Sequence, residues 1–242
     1  MGLLKTGLFV IVVLVSGSFA GLIYGGLNLA LVEPFLDDAT NIENQILFES
    51  GEESDTDDFW VEYYSYRSWQ KGGQVLAATI FGTSIGALFG IVFVYSRNSL
   101  PNGNNLRKTL VLAGIMWLVL FTIPFLKYPA NPPTVGDGET VVLRGILYLS
   151  FIAISGFAAL GFYYMYKQLK TQKRFFSFVG YAIFITTVFF LMPDNPDEIT
   201  APMEIVSGFR IFSFLTTSIF WLSLALIFGA FWEKLQPQIH SN

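Results

Sequence analysis

No cysteine occurs among the 242 residues, and the only histidine, His240, stands two residues from the end. Without cysteine there is neither a disulfide nor a thiolate metal site. A single histidine leaves zinc-hydrolase, nucleophilic-cysteine and Ser-His-Asp chemistry without its parts, and bis-histidine haem ligation fails likewise. No G-x-x-x-x-G-K-[ST] loop is present, so the chain does not itself bind ATP in the P-loop manner. EF-hand spacing is missing too. No enzymatic activity, no permanently bound cofactor and no nucleic-acid partner is therefore expected. Charge is the next scarcity. Only 13% of residues are charged, about half of what a soluble domain of this length carries.

What fills the space is apolar. Hydrophobic residues make up 53% of the chain, and several runs approach the roughly 20 residues that cross about 30 Å of hydrocarbon. The expected fold is an all-α, polytopic membrane helix bundle, a single integral membrane domain over 1–242, with membrane lipids as its surroundings. Six spans are read at 7–32, 73–95, 110–126, 142–166, 175–192 and 209–232. The start of the first, with Lys5 and Ser18-Phe19-Ala20, is similar to a signal peptide; cleavage there would leave five spans. Apolar character continues past Ala20 to Val32, which favours a retained anchor.

Charge distribution tests the count. Six spans put both termini on one side, together with Lys5, Arg97, Arg107, Lys108, Lys167, Lys170, Lys173, Arg174 and Lys234. Arg67, Lys71, Lys127, Arg144 and Arg210 fall on the other. Nine bases against five place both termini in the cytoplasm of a prokaryotic cell membrane. Of eighteen acids only Glu233 falls inside.

Two outer segments stand out. Residues 33–70 read as an extracytoplasmic acidic and aromatic loop, with Glu49, Glu52, Glu53, Asp55, Asp57 and Asp58 within ten positions and Phe59, Trp60, Tyr63, Tyr64, Tyr66 and Trp69 following. Such an acidic run is read either as a plain solvated loop or as one that raises the local concentration of divalent cations; the rings suit a headgroup belt, on a short helix along the surface. Residues 127–141 read as a proline-rich loop. In Pro124-Phe-Leu-Lys-Tyr-Pro-Ala-Asn-Pro-Pro133 four prolines remove donors and restrict their predecessors, so the decapeptide is expected to be a stiff, extended cap. Lys127 and Tyr128 suit interfacial depth.

Inside the spans, glycine recurs at i, i+4 and i+8: Gly17, Gly21 and Gly25 in the first, Gly82, Gly86 and Gly90 in the second. These smooth faces allow close backbone approach, to each other or to a partner. Intramembrane ions mark function because an unpaired one is costly, and here they are few. Glu33 closes the first span and Arg144 opens the fourth; each sits at headgroup level, forms an outer salt bridge, or lines a pathway. Asn28 is the amide well inside the first span, available for interhelical bonding or an ion. Methionines 116, 165 and 192 read as packing.

The run Pro124-Phe-Leu-Lys-Tyr-Pro-Ala-Asn-Pro-Pro-Thr-Val-Gly-Asp137 resembles the loop of the CbtA family of predicted cobalt transporter subunits. Gly21-Leu-Ile-Tyr-Gly25 through Val32-Glu-Pro-Phe-Leu-Asp37, the glycine-rich helix from Gly72, and the Arg107 to Leu126 helix resemble further parts of that family, in the same order. The resemblance covers 7–40 and 70–145. It implies a cobalt transporter subunit with cobalt as the transported ion, and a small CbtB-like membrane subunit whose histidines would supply ligands this chain lacks. The long acidic insert and a sixth span depart from the family's usual pattern. Joined to the residues, it gives an outer vestibule with Glu33 as cation-facing carboxylate and Asn131 as neutral oxygen ligand. Lys127, Tyr128, Asp137 and Arg144 stand near its mouth, and Lys127 is neutralised there by Asp137 or Glu139. The competing reading is an accessory or assembly subunit of a larger membrane complex, or a homo-oligomer, packed through the glycine faces.

Overall fold

A computed structural model describes residues 2–132, 135–199 and 201–235, with side chains from Thr6 onward. Pro133, Thr134 and His240 lie outside the described residues. Among the described residues the regular elements are all helical, and six helices are long and apolar enough to span a membrane. It divides into two compact units, residues 1–115 with 201–242, and 116–200.

The first unit is built on α1 (Gly2–Leu31), α2 (Glu33–Ser50), α3 (Asp57–Ser96), the beginning of α4 (Asn105–Trp117) and α8 (Met203–Leu235). α1 and α3 run antiparallel at backbone contact. A Cβ on Gly17 would lie 2.5 Å from the Gly82 carbonyl oxygen, and one on Gly21 equally close to that of Ala78. Gly82 and Gly86 face Gly17 and Gly21 in return, while Gly25 meets Ala78 and Gly90 meets Val13. α8 runs antiparallel to α1, its Phe220 and Trp232 against Tyr24 and Phe9, so the start of α1 and the end of α8 share one end of this unit. There Phe89, Phe93, Phe228 and Trp232 form an edge-to-face cluster that closes the core. Glu233, the acid left among the bases, accepts the Leu106 N–H at 3.2 Å. It caps the first turn of α4, where a carboxylate complements the helix dipole.

The segment 33–70 is a helical hairpin rather than a loop. Thr56 caps α3 by accepting from the Phe59 N–H, with Asp57 and Asp58 in the first turn, a favourable combination of cap and dipole. α3 then runs unbroken for 40 residues, about 60 Å at 1.5 Å per residue, twice the hydrocarbon thickness. α2 continues beyond α1 alongside the N-terminal half of α3 and ends at Gly51, whose φ of 77° makes the left-handed turn. Phe48, Phe59, Trp60 and Tyr63 pack edge to face beneath that tip. The aromatic helix is thus the first part of the helix that carries the second span, not a separate short one. High acidity hid a helical face on which Ala39 is buried and Phe35 and Ile42 are half-buried. Phe35 stacks on Phe212 and fills the notch over Gly208 of α8.

The second unit holds a π turn (Leu118–Thr122), α5 (Ile123–Lys127), α6 (Val141–Gln168) and α7 (Phe175–Leu191). Pro124 lies inside a continuous helix that ends at Lys127, so the first four residues of the decapeptide are helical, a correction to the expected extended cap. The reason is the π turn before it, where Ile123 N–H reaches back to the Leu118 carbonyl. This widened turn accommodates a residue that has no N–H to give.

Candidate functional site

Pro34 cannot donate to the preceding helical turn, so α1 gives way to α2 at Val32. Glu33 then stands at the N-terminus of α2, favourable for a carboxylate, but only 4% exposed. A buried carboxylate needs a partner. Arg67 of α3 supplies it, its Nη2 2.5 Å from Glu33 Oε1 and 2.6 Å from Asp37 Oδ1. Lys71 Nζ takes the other Asp37 oxygen at 2.8 Å, and Arg67 Nη1 donates to Gln70 Oε1 at 2.9 Å. Two acids one turn apart on α2 therefore face two bases one turn apart on α3, and the four charges cancel. Burial alone would raise the Asp37 carboxyl. The hydrogen bonds and charges of Arg67 and Lys71 outweigh it and hold the group below its ordinary range.

Asn28 lies five residues before Glu33, about 7 Å along a helix. Its Oδ1 accepts from Thr216 Oγ1 at 2.7 Å, both residues buried between α1 and α8. Polar groups thus continue from the charged junction into the apolar part of this unit.

In the second unit, Lys127 pairs with Asp194 rather than with Asp137 or Glu139. The Lys127 ammonium also lies over the Phe189 ring, 5.3 Å from its centroid. The next residue does the same work, Tyr128 OH donating to the Pro193 carbonyl at 2.5 Å. Burial pushes the Tyr128 phenol up, and the Asp194 carboxylate adds to the effect. Asp137 caps the turn at Gly138–Thr140 through the Glu139 N–H. Arg144 Nε lies 3.0 Å from buried Asp197 Oδ2, while its other nitrogens donate to the Val135 and Asp137 carbonyls. Thr140 Oγ1 bonds Asp197 as well. Two exits, after α5 and after α7, are thereby tied together. Asn131 stands half-buried in the segment between α5 and the Gly138–Thr140 turn.

Deeper in this unit, Ser155 of α6 donates to the Val119 carbonyl at 2.6 Å and bonds Tyr181 OH of α7 at 2.8 Å. Val119 needs that donor. The π turn takes the Ile123 N–H to Leu118, and the next residue is proline.

Arg67, Asp194, Asp197 and the Ser155–Tyr181 pair escaped the sequence reading. Arg67 and Lys71 had a signal: they are the only bases among the eleven acids of 33–71, and their spacing matches that of Glu33 and Asp37. The others depend on contacts between distant helices. Among the described residues, no group of three or more His, Cys, Asp or Glu is placed to hold a metal ion.

A family model described as a probable cobalt transporter subunit (CbtA) matches residues 7–233. No curated protein and no solved structure matches the chain.

Proposed function

The chain belongs to the CbtA family of probable cobalt transporter subunits, and on that premise we propose that it is the membrane-embedded permease component of a divalent-metal transporter, itself hydrolysing no ATP. Cobalt is the transported ion. A second, small membrane subunit of the CbtB kind brings imidazole ligands, and both termini face the cytoplasm. The observation that carries a pathway role is the Glu33–Arg67–Asp37–Lys71 junction, in which Glu33 and Arg67 are buried, with Asn28 and Thr216 continuing inward from it. Buried charge at the end of a span is expensive to maintain for packing alone. Glu33 is the carboxylate that faces the passing cation, with Asn131, Lys127, Tyr128, Asp137 and Arg144 belonging to the outer loop.

The accessory reading is supported by α6 and α7. Leu149, Phe157, Leu160, Tyr164, Phe178, Phe190 and Leu191 are exposed on them, a surface suited to lipid or to another membrane chain. The glycine faces, by contrast, are used within the chain.

Radioactive cobalt uptake decides between the readings, in cells without their own cobalt transporters, expressing the chain alone and then with a CbtB-like subunit. Uptake that needs the chain and falls with Glu33→Gln supports the permease. No uptake in either setting, with the protein inserted and folded, favours the accessory role. Uptake unchanged in Glu33→Gln removes Glu33 from the pathway.

A further inference from the structure

We propose that the turn between α6 and α7 binds the phosphate of an anionic phospholipid, through Lys170, Lys173 and Arg174 and the open amides ahead of α7. The site is independent of the transported ion and requires only that α6 and α7 cross the membrane.

Both helices are long and apolar enough to do so, and residues 169–174 alone join them. So short a connection between two spans leaves the turn at headgroup depth. Tyr164, Phe175, Phe176 and Phe178 are exposed around it, rings that belong at the lipid interface rather than in water.

The turn is strongly and one-sidedly charged. Lys167, Lys170, Lys173 and Arg174 fall close together, and no Asp or Glu occurs between Glu139 and Asp194. Those two acids flank the far ends of α6 and α7, the nearer one separated by the 17 residues of α7, about 25 Å. Lys167 lies in the last turn of α6, where the dipole favours a base, with its ammonium 5.8 Å from the Tyr163 ring centroid. The other three stand at the wrong end of a helix. Lys173 ends the short turn Thr171–Lys173 and Arg174 precedes the first residue of α7. Neither start has a side-chain cap or an acid in its first turn. Bases there oppose the positive end of the dipole, and the leading amides have no partner within the helix. Lys170 and Lys173 meet no acid and no ring among the described residues.

Arg174 is oriented but not consumed. Its guanidinium lies over Tyr166, 4.8 Å from the centroid, and its Nε donates to the Leu169 carbonyl at 3.4 Å. Its terminal nitrogens have no acceptor among the described residues, a free fork that matches two phosphate oxygens. Arg174 and Phe178 both pack on Tyr166. Between them Ser177 is 3% exposed, and its hydroxyl bonds nothing among the described residues. Side chains on a helix tilt toward its N-terminus, so this donor is directed to the same turn. One phosphate answers the bases, the open amides and the uncapped dipole together, and acyl chains cover the rings beside it.

The test is lipid retention. Purified full-length protein in neutral detergent is mixed with equal amounts of phosphatidylglycerol or phosphatidylcholine. Bound lipid is counted by native mass spectrometry, and the thermal unfolding midpoint is read in parallel. The unsubstituted protein should retain phosphatidylglycerol and unfold at a higher temperature with it, with no such gain from phosphatidylcholine. Lys170→Gln/Lys173→Gln should retain about tenfold less of the anionic lipid. Without lipid its midpoint should equal or exceed that of the parent, because two charges opposed to the dipole are gone. Lys108→Gln/Lys234→Gln removes the same charge elsewhere and should retain lipid as the parent does. Equal retention of the two lipids by the parent, or equal losses in the two double variants, overturns the site. A Lys170→Gln/Lys173→Gln protein less stable than the parent without lipid shows that the lysines serve the fold and overturns it as well. Inorganic phosphate that raises the midpoint as far as phosphatidylglycerol does overturns the lipid as occupant in favour of a soluble anion.

Discussion

Ser155 has a duty that follows from a proline in the preceding helix, α5. Its hydroxyl supplies the hydrogen bond that the Val119 carbonyl loses to the π turn and Pro124. Ser155→Ala should cost about 1–3 kcal/mol, the range for leaving a buried acceptor without a donor. Tyr181→Phe should cost less, about 0.5–1.5 kcal/mol, since Ser155 keeps its bond to Val119. Thermal unfolding in detergent separates the two; equal losses would mean that Tyr181, not Val119, is what Ser155 serves. Asp37 gives a prediction in pH. Its folded carboxyl sits below the ordinary aspartate range because Arg67 and Lys71 outweigh burial. Its stabilising contribution is present above that range and is lost as pH falls through the lowered folded value. Acid unfolding of Asp37→Asn should therefore lack this component, and its midpoint should move less with pH than that of the parent protein.

At the scale of elements, the α1–α3 seam separates glycines that touch backbone from those that touch side chains. An added Cβ on Gly82 meets the Gly17 oxygen and Gly21 Cα, both at 2.5 Å, which no rotamer relieves. Gly82→Ala should push the helices apart and destabilise the first unit by about 1–3 kcal/mol. Gly90→Ala meets a Val13 methyl, which a χ1 change moves aside, and should cost less. Gly26→Ala, with nothing within 4 Å, is the neutral control. Unfolding midpoints in that order would be the expected result, and a Gly82→Ala protein as stable as Gly26→Ala would show that the seam does not need glycine. This seam was visible in the i, i+4, i+8 spacing because helical periodicity is a local property. The α2–α3 hairpin was not, since its apolar face is short and ten carboxylates besides Glu33 dominate the composition of residues 33–71.

For the whole molecule, parity of six spans and the nine-to-five split of bases require the acidic hairpin and the 97–104 turn to face opposite compartments. The absence of cysteine makes this directly measurable. Ser54→Cys at the exposed hairpin tip should react with a membrane-impermeant maleimide in intact cells, and Asn102→Cys only after permeabilisation. The reverse pattern would invert the topology and place Glu33 on the inner side; labelling of both in intact cells would contradict six spans.

Membrane class, the number of spans and the glycine seam were determined by the sequence, because partition into hydrocarbon adds up over contiguous residues and helix faces repeat every few positions. Which carboxylate meets which base was decided by tertiary structure alone. Glu33 and Arg67 are 34 residues apart, and Lys127 and Asp194 are 67. Lys127 had nearer acids in Asp137 and Glu139, yet the loop after α7 is the one brought to it. An ion pair depends on the approach of distant helices, and no local pattern in the chain encodes that distance.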